Sequence, residues 1–319
     1  MKKSIKPSQK PYISIVIPVY NEAGNLKVLQ KRLLQTLDKL GKPYEIIYTN
    51  DGSRDNSLEI LEELFQERPE HVRVIDFKRN FGQHMAVIAG FEQAEGDVIV
   101  TLDADLQNPP EEIPKLVALI EKGHDLVSGC RVQRKDNYFR RHASKLINVI
   151  RAKITNIHMT DEGCMLRAYG RDVVDLMVAT KGMAPFIPAL AYSYAANPTE
   201  IPVEHAERFT GESKYSFFSL IRLSFDLMTG YSLVPLQAFT LIGFSVSILS
   251  IIFVVYLALR RIFMGPEVQG VFTLFAIMFF LVGILLMGLG ITGEYIGRIY
   301  QEVRQRPRFV IRKILKMKE

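Results

Sequence analysis

Val98-Ile99-Val100-Thr101-Leu102-Asp103-Ala104-Asp105-Leu106-Gln107 decides how the rest of this 319-residue chain is read. Its first five residues form an apolar run of strand length, the pattern of a buried strand. Two carboxylates follow at i and i+2, and an amide two residues further on. Open α/β sheets bind ligands in the crevice beyond the strand C-termini. Hard oxygen ligands delivered there suit Mg²⁺ or Mn²⁺ and, through the cation, a diphosphate. The competing reading is a solvated Asp-rich turn running into Asn108-Pro109-Pro110.

The sequence on either side repeats the strand-then-polar-cluster pattern. Tyr12–Val19 reads as a strand ending on Tyr20-Asn21-Glu22, and a helix with Leu26, Leu29, Leu33, Leu37 and Leu40 on one face follows. Gly41-Lys42-Pro43 stops that helix. Glu45–Thr49 is the next strand and closes on Asn50-Asp51-Gly52-Ser53. Ser57–Glu67 is a helix, and Val72–Phe77 is a strand leading into Arg79-Asn80-Phe81-Gly82-Gln83-His84. Asp97–Leu102 is the strand of the opening stretch, Glu111–Lys122 a helix, and Asp125–Ser128 a fifth strand followed by Arg131. Alternating βα units with apolar strands predict a mostly parallel, doubly wound sheet covered by helices on both faces. Every polar cluster follows a strand end, so all of them converge on one edge. There Glu22 and Asp51 can accept hydrogen bonds from a base and a ribose, although Asn-Asp-Gly is equally a plain turn. Arg131 can present a planar fork to phosphate. His84, alone at a helix start, is read as packing. No GxxxxGK-S/T loop and no GxGxxG turn occur, which argues against P-loop nucleotidases and dinucleotide oxidoreductases.

Composition divides the chain. Charged residues are 23% and hydrophobic ones 48% of the whole. Leu236–Leu259 and Val271–Thr292, however, contain no charge at all. Each is long enough to cross a hydrocarbon core, which takes about 20 apolar residues. Two spans leave both flanks on one side. Residues 293–319 hold eight lysines and arginines against two, Arg260 and Arg261, in the link between the spans. The positive-inside bias therefore puts the soluble domain and both termini in the cytoplasm. The net charge of +6 belongs to an anionic membrane surface rather than to nucleic acid. Residues 214–234 mix Phe217, Phe218 and Leu220 with Lys214, Arg222 and Asp226, as an interfacial amphipathic helix does. Phe139–Ile154 reads as a second, basic amphipathic helix. Gly283, Gly288, Gly290, Gly293 and Gly297 would allow close helix approach. Residues 1–11 read as a disordered basic tail, and Cys130 and Cys164 as reduced thiols.

Ile17-Pro18-Val19-Tyr20-Asn21-Glu22, Asn50-Asp51-Gly52-Ser53 and Asp103-Ala104-Asp105-Leu106-Gln107 together resemble family 2 inverting glycosyltransferases of the GT-A fold. Arg208 with Gly211-Glu212-Ser213-Lys214, and Gly293-Glu294-Tyr295-Ile296-Gly297-Arg298, resemble the polyprenyl-phosphate branch of that family. Arg79–His84, Asn108–Pro114, Gly163–Tyr169 and His205–Arg208 look most like the undecaprenyl-phosphate 4-deoxy-4-formamido-L-arabinose transferases, which supply a lipid-linked sugar for lipid A modification. The resemblance covers about residues 12–310. It implies a cytoplasmic GT-A domain over 12–213, an interfacial helix over 214–234, two membrane helices within 235–292 and a basic segment over 293–319.

The resemblance also implies roles. Pro18, Tyr20, Glu22 and Asp51 would hold the uridine of a UDP-sugar, with Asp103 near the ribose and diphosphate and Arg131 facing donor phosphate. Asp105 and Gln107 would hold Mg²⁺ or Mn²⁺. Arg208, Ser213 and Lys214 would grip the phosphate of undecaprenyl phosphate. Asp103, Asp105, Asp161 and Arg167 would serve the chemistry. One departure stands out: glucosyl-transferring relatives carry an Asp, a proposed base, where this chain has Met165, while Asp161 matches the leading Asp of the mannose-synthase motif. Bacterial inner-membrane location and a homotetramer are implied as well. The rival readings are a bactoprenol glucosyl- or mannosyltransferase and, outside enzymes, a membrane nucleotide-sensing pseudoenzyme. A processive synthase is disfavoured, since its Gln-x-x-Arg-Trp motif needs a tryptophan and the chain has none.

Overall fold

The computed structural model of the chain describes residues 10–131, 159–161, 163–180, 186–205, 229, 233–264, 271–303 and 307–317. Two units divide it: Met1–Arg141 with Ile157–Lys214 and Gln305–Glu319, and His142–Asn156 with Tyr215–Arg304.

The first unit is built around one sheet. In chain order its elements are β1 (Ile13–Val19), α1 (Ala23–Leu40), β2 (Tyr44–Asn50), α2 (Ser57–Glu67), β3 (Val72–Phe77), α3 (Gln83–Gln93) and β4 (Val98–Thr101). A 3₁₀ turn at Pro110–Glu112 then leads into α4 (Ile113–Glu121) and β5 (Leu126–Arg131). β6 (Arg167–Gly170), α5 (Arg171–Ala179), α6 (Ile187–Tyr194), β7 (Pro198–Val203) and, far later, β8 (Ile311–Leu315) complete the unit. The sheet order is β7-β5-β6-β4-β1-β2-β3-β8.

Alternating side chains sort the strands into two cores. Ile13, Ile15, Ile17, Ile46 and Tyr48 pack with leucines of α1, α2 and α4, while Val16, Ile47, Ile75 and Ile99 pack with α3 and α5. All seven positions of β2 are buried, including Glu45. That carboxylate is tolerated because it accepts Ser14 Oγ at 2.6 Å and Glu95 N at 2.7 Å and pairs with Arg73 Nε at 3.0 Å. Gly41, at φ 69°, ends α1 with a left-handed cap.

The expected parallel core holds: β1–β2, β1–β4 and β2–β3 are parallel, as is the outlying pair β5–β7. Two antiparallel strands go beyond the sequence reading. β6 enters between β4 and β5. β8 pairs with β3 at the other edge, so part of the segment read as a basic tail is a sheet strand. In Ile311-Arg312-Lys313-Ile314-Leu315 the basic residues hide a strand whose Ile311, Ile314 and Leu315 pack on the sheet. Its charges suit an edge, where they discourage further pairing.

The second unit contains α7 (Val234–Met264) and α8 (Val271–Val303). Val234–Leu257 and Ile277–Tyr300 are long and apolar enough to cross a membrane, with mean hydropathies of 2.5 and 2.0. α8 runs past the expected end at Thr292, because Glu294 and Arg298 pair at 2.8 Å along the helix. Of the described glycines in α8, Gly288 is the one in close approach: a Cβ there would stand 2.1 Å from the Phe239 ring. Gly283, Gly290, Gly293 and Gly297 meet nothing within 4 Å among the described residues. The helix expected over 139–154 lies outside the described residues, as does nearly all of 214–234.

Candidate active site

The strand order places the crevice. The chain runs outward from β1 through β2 to β3, then returns to β4 on the opposite side of β1. This reversal point, between the C-terminal ends of β1 and β4, is where doubly wound sheets bind ligands. Tyr20-Asn21-Glu22 leave β1 there, and Asp103–Gln107 leave β4 there.

On the β1–β2–β3 side the loops are tied to each other by hydrogen bonds. Asn21, left-handed at φ 57°, donates its amide to Ser53 Oγ at 3.0 Å and accepts Arg54 N at 2.8 Å. Glu22 N donates to Ser57 Oγ at 2.9 Å, and the Glu22 carboxylate accepts Asn25 Nδ2 at 2.7 Å. Tyr20 is 41% exposed, so its ring is open to a base. Asp51 has a duty the sequence did not reveal. It is 2% exposed, and its two oxygens accept Phe81 N at 2.6 Å and Gly82 N at 2.9 Å. Burial raises its carboxyl above the ordinary value, with the two amides pulling the other way. Asp51 therefore shapes the β3–α3 loop. Gly52 is needed beside it: at φ +66°, a Cβ there would stand 2.5 Å from the Arg79 carbonyl carbon.

The β4–β5 side carries charge. Leu102, Ala104, Leu106 and Asn108 are buried, while Asp103, Asp105 and Gln107 between them are partly open. Leu106 at φ 62° and the bond from Gln107 N to Asp105 Oδ1, 3.1 Å, set this alternation. Asp103 Oδ1 accepts Gln83 Nε2 at 2.6 Å. Arg131 and Asp161 come together as a two-pronged ion pair, Nε to Oδ2 at 2.5 Å and Nη2 to Oδ1 at 2.7 Å. Two prongs of the fork expected to meet donor phosphate thus face a carboxylate.

Arg167, a candidate for the chemistry by sequence, is fully buried. It donates to Cys164 O at 2.9 Å, Ser128 Oγ at 2.7 Å and Asp161 O at 3.0 Å. Through these bonds it fixes the loop that bears Asp161. His84 does pack: burial and the nearby Arg167 charge lower it to about 4, so it is neutral at physiological pH. Cys164 is a buried free thiol raised to about 11 by burial, and Cys130 is also free.

Two residues went unassigned from sequence. Gln83 appears as a partner of Asp103, and its place at a helix start after β3 was the available signal. His205, just after β7, feels the charges of Asp105, Asp161 and Arg131, and burial first, then Arg131, lowers its pKa. Nothing in its local sequence ties it to β4. Arg208, Ser213 and Lys214 lie outside the described residues.

Among the described residues no group of three His, Cys, Asp or Glu side chains forms a ready-made metal cage. The donor set still fits a hard cation, since Mg²⁺ sites commonly use one or two carboxylates and complete the shell with substrate phosphates and water. Asp105 and Gln107, with Asp103 adjacent, offer that arrangement.

The sequence profile of Glycosyl transferase family 2 matches residues 14–177, from β1 into α5. The chain belongs to this family. It is a glycosyltransferase, with the mixed α/β sheet of the GT-A type. Its relatives include the undecaprenyl-phosphate 4-deoxy-4-formamido-L-arabinose transferase of Shewanella sediminis, 49% identical over 306 residues, covering 95% of this chain and 92% of that one. The protein of the same name from Pseudomonas savastanoi pv. phaseolicola is 46% identical, covering 98% and 93%. Among solved structures, glucosyl-3-phosphoglycerate synthase from Mycobacterium tuberculosis, in complex with Mn²⁺, UDP and phosphoglyceric acid, matches with a TM-score of 0.46. It is 18% identical and covers 69% of this glycosyltransferase and 76% of its own chain.

Proposed function

We propose that this glycosyltransferase moves 4-deoxy-4-formamido-L-arabinose from a UDP-sugar to undecaprenyl phosphate, with inversion and with help from Mg²⁺ or Mn²⁺. The observation that carries the reading is the extent of the likeness: identity of 46–49% to transferases of that name runs through both the sheet unit and the apolar helices. The product would be a lipid-linked sugar for modifying lipid A.

The geometry supports a division of labour. Tyr20, Pro18 and Glu22 line the uridine side, and Asp51 shapes it through the Phe81–Gly82 amides. Asp103, Asp105 and Gln107 serve the diphosphate side, where a bound cation would neutralise the departing charge. The acceptor phosphate is the nucleophile. It is already anionic near neutral pH, since the second pKa of a phosphate monoester is about 6. No strong general base is required, which accords with Met165 at the position of the missing Asp and with Asp161 committed to Arg131. Arg208, Ser213 and Lys214 would hold the acceptor phosphate, so the site mainly positions two anions that repel each other.

The topology supports the location. The chain leaves the sheet after β7, passes through two apolar helices and rejoins the same sheet as β8. Both ends of the helix pair therefore belong on one side of the membrane, and the excess of lysine and arginine makes that side cytoplasmic. The bacterial inner membrane and a tetrameric assembly are part of the same proposal.

A panel of UDP-sugars incubated with undecaprenyl phosphate, read by mass spectrometry of the extracted lipid, tests the reading. The formamido-arabinose donor should give the dominant product. Preferential transfer of glucose or mannose would replace the sugar assignment, and the absence of any lipid product would overturn the acceptor.

A further inference from the structure

We infer that Arg312, on the strand that follows the apolar helices, is a positioning residue for the nucleotide side of the crevice. This rests on the reading that the Tyr20–Ser53 side binds the uridine.

Asp76 on β3 is 1% exposed. Its Oδ1 accepts Asn50 Nδ2 at 2.8 Å. Its Oδ2 accepts no hydrogen bond among the described residues and lies 3.5 Å from Arg312 Nη1. A buried carboxylate oxygen without compensation is unfavourable, and the guanidinium supplies the opposing charge. Asn50, held in this way, accepts Ser53 N at 3.2 Å, and Ser53 Oγ accepts Asn21 N at 3.0 Å. A chain of contacts thus runs from β8 to the turn after β1.

The same arginine reaches the neighbouring loop. Arg312 Nη2 donates to Lys78 O at 3.3 Å, and Lys78 N donates to Val310 O at 2.9 Å. Phe309 stacks on Phe77, ring centroids 5.0 Å apart. Lys78 opens the loop whose Phe81 and Gly82 amides hold Asp51 and whose Arg79 backbone crowds Gly52. Arg312 therefore ties together the two loops between which Asp51 sits. Lys313, its neighbour on β8, pairs instead with Glu62 on α2.

The test uses the full chain in detergent, with UDP in the presence of Mg²⁺ as the calorimetric probe and both substrates in steady-state assays. Arg312→Ala should raise the Kd for UDP and the KM for the UDP-sugar about tenfold, the scale of one charge-assisted contact. The KM for undecaprenyl phosphate and kcat should stay within about twofold, a change too small to count as one lost hydrogen bond. Arg312→Lys should recover part of the loss, and Lys313→Ala should leave UDP binding unchanged. If Arg312→Ala does not fold, Arg312→Gln, which removes the charge and can still donate to Lys78 O, takes its place. Unchanged UDP affinity in the arginine variant would overturn the inference. So would an equal loss in Lys313→Ala, which would mean a general loosening of the sheet edge. Wild-type protein that binds no UDP would overturn the nucleotide reading itself.

Discussion

On the β1–β2–β3 side of the crevice, backbone amides, the Ser53 and Ser57 hydroxyls and the buried Asp51 carboxylate hold the loops after β1, β2 and β3 within hydrogen-bond distance of each other. On the β4–β5 side the charged groups gather: Asp105, Asp161 and Arg131 all act on His205, and Asp103 acts on Arg131. The first side has a shape before any ligand arrives, which suits the base and ribose recognition proposed for it. The second concentrates charge, which suits the diphosphate handling proposed for it. Substitutions should therefore act differently on the two sides: through KM for the nucleotide on the first, through kcat on the second.

The sharpest separation should come from Asp105→Ala. Removing a carboxylate from the side proposed to take the diphosphate should lower kcat by about 10³-fold, the scale of losing one strong electrostatic contact to developing charge. The thermal midpoint should hardly move, because Asp105 is partly open. Radiolabel transfer into lipid alongside thermal denaturation checks both parts, and normal turnover would remove Asp105 from the chemistry.

Gly52→Ala probes the opposite side. The left-handed backbone and the 2.5 Å approach to Arg79 leave no room for a methyl group, so the two loops must part. We expect the KM for the UDP-sugar to rise about tenfold to a hundredfold, equivalent to roughly 1–3 kcal/mol of misplaced contacts. A fall in kcat at constant KM would break the proposed division between the sides.

Asp161→Asn is the milder test on the charged side. The amide keeps a hydrogen bond to Arg131 and loses the ion pair. If the nucleophile is the already charged acceptor phosphate, as proposed, turnover should drop less than about tenfold, whereas removal of a true general base costs about 10²–10⁴-fold. A loss in the upper part of that range would make Asp161 the base after all.

The two sides also differed in how far they could be read from sequence. Strand ends, helix starts and the Asp103–Gln107 pattern are local, so β1 to β5 and their turns were legible. What escaped depends on contacts far apart in the chain. Asp51 looks like a ligand-facing turn residue until Phe81 and Gly82, thirty positions on, take its oxygens. Arg131 looks free until Asp161 folds back on it. Arg167 carries a charge that in sequence suggests a surface or a site, yet three oxygen acceptors let it lie in the core. β8 was masked because Arg312 and Lys313 resemble a membrane-facing tail, and only the open edge of β3 gives them another use.

His84 comes one residue after the Gln83 that holds Asp103. Its ring meets Phe186 edge-on with centroids 5.2 Å apart, and its Nδ1 has no hydrogen bond among the described residues. Its folded pKa of about 4 lies below the ordinary 6.5, so the fold favours the neutral ring. The stability this gives is complete above pH 6.5 and is lost as pH falls from there towards 4. The two values differ by an amount equivalent to on the order of 3 kcal/mol at most. His84→Phe, which keeps the ring and removes the titration, should flatten this acid limb when denaturant midpoints are compared at pH 7 and pH 4.5. Its kcat at pH 7 should remain near that of the wild type, because a neutral packed ring takes no part in holding either anion. An acid limb of undiminished slope in the variant would assign the loss to carboxylates elsewhere in the sheet unit.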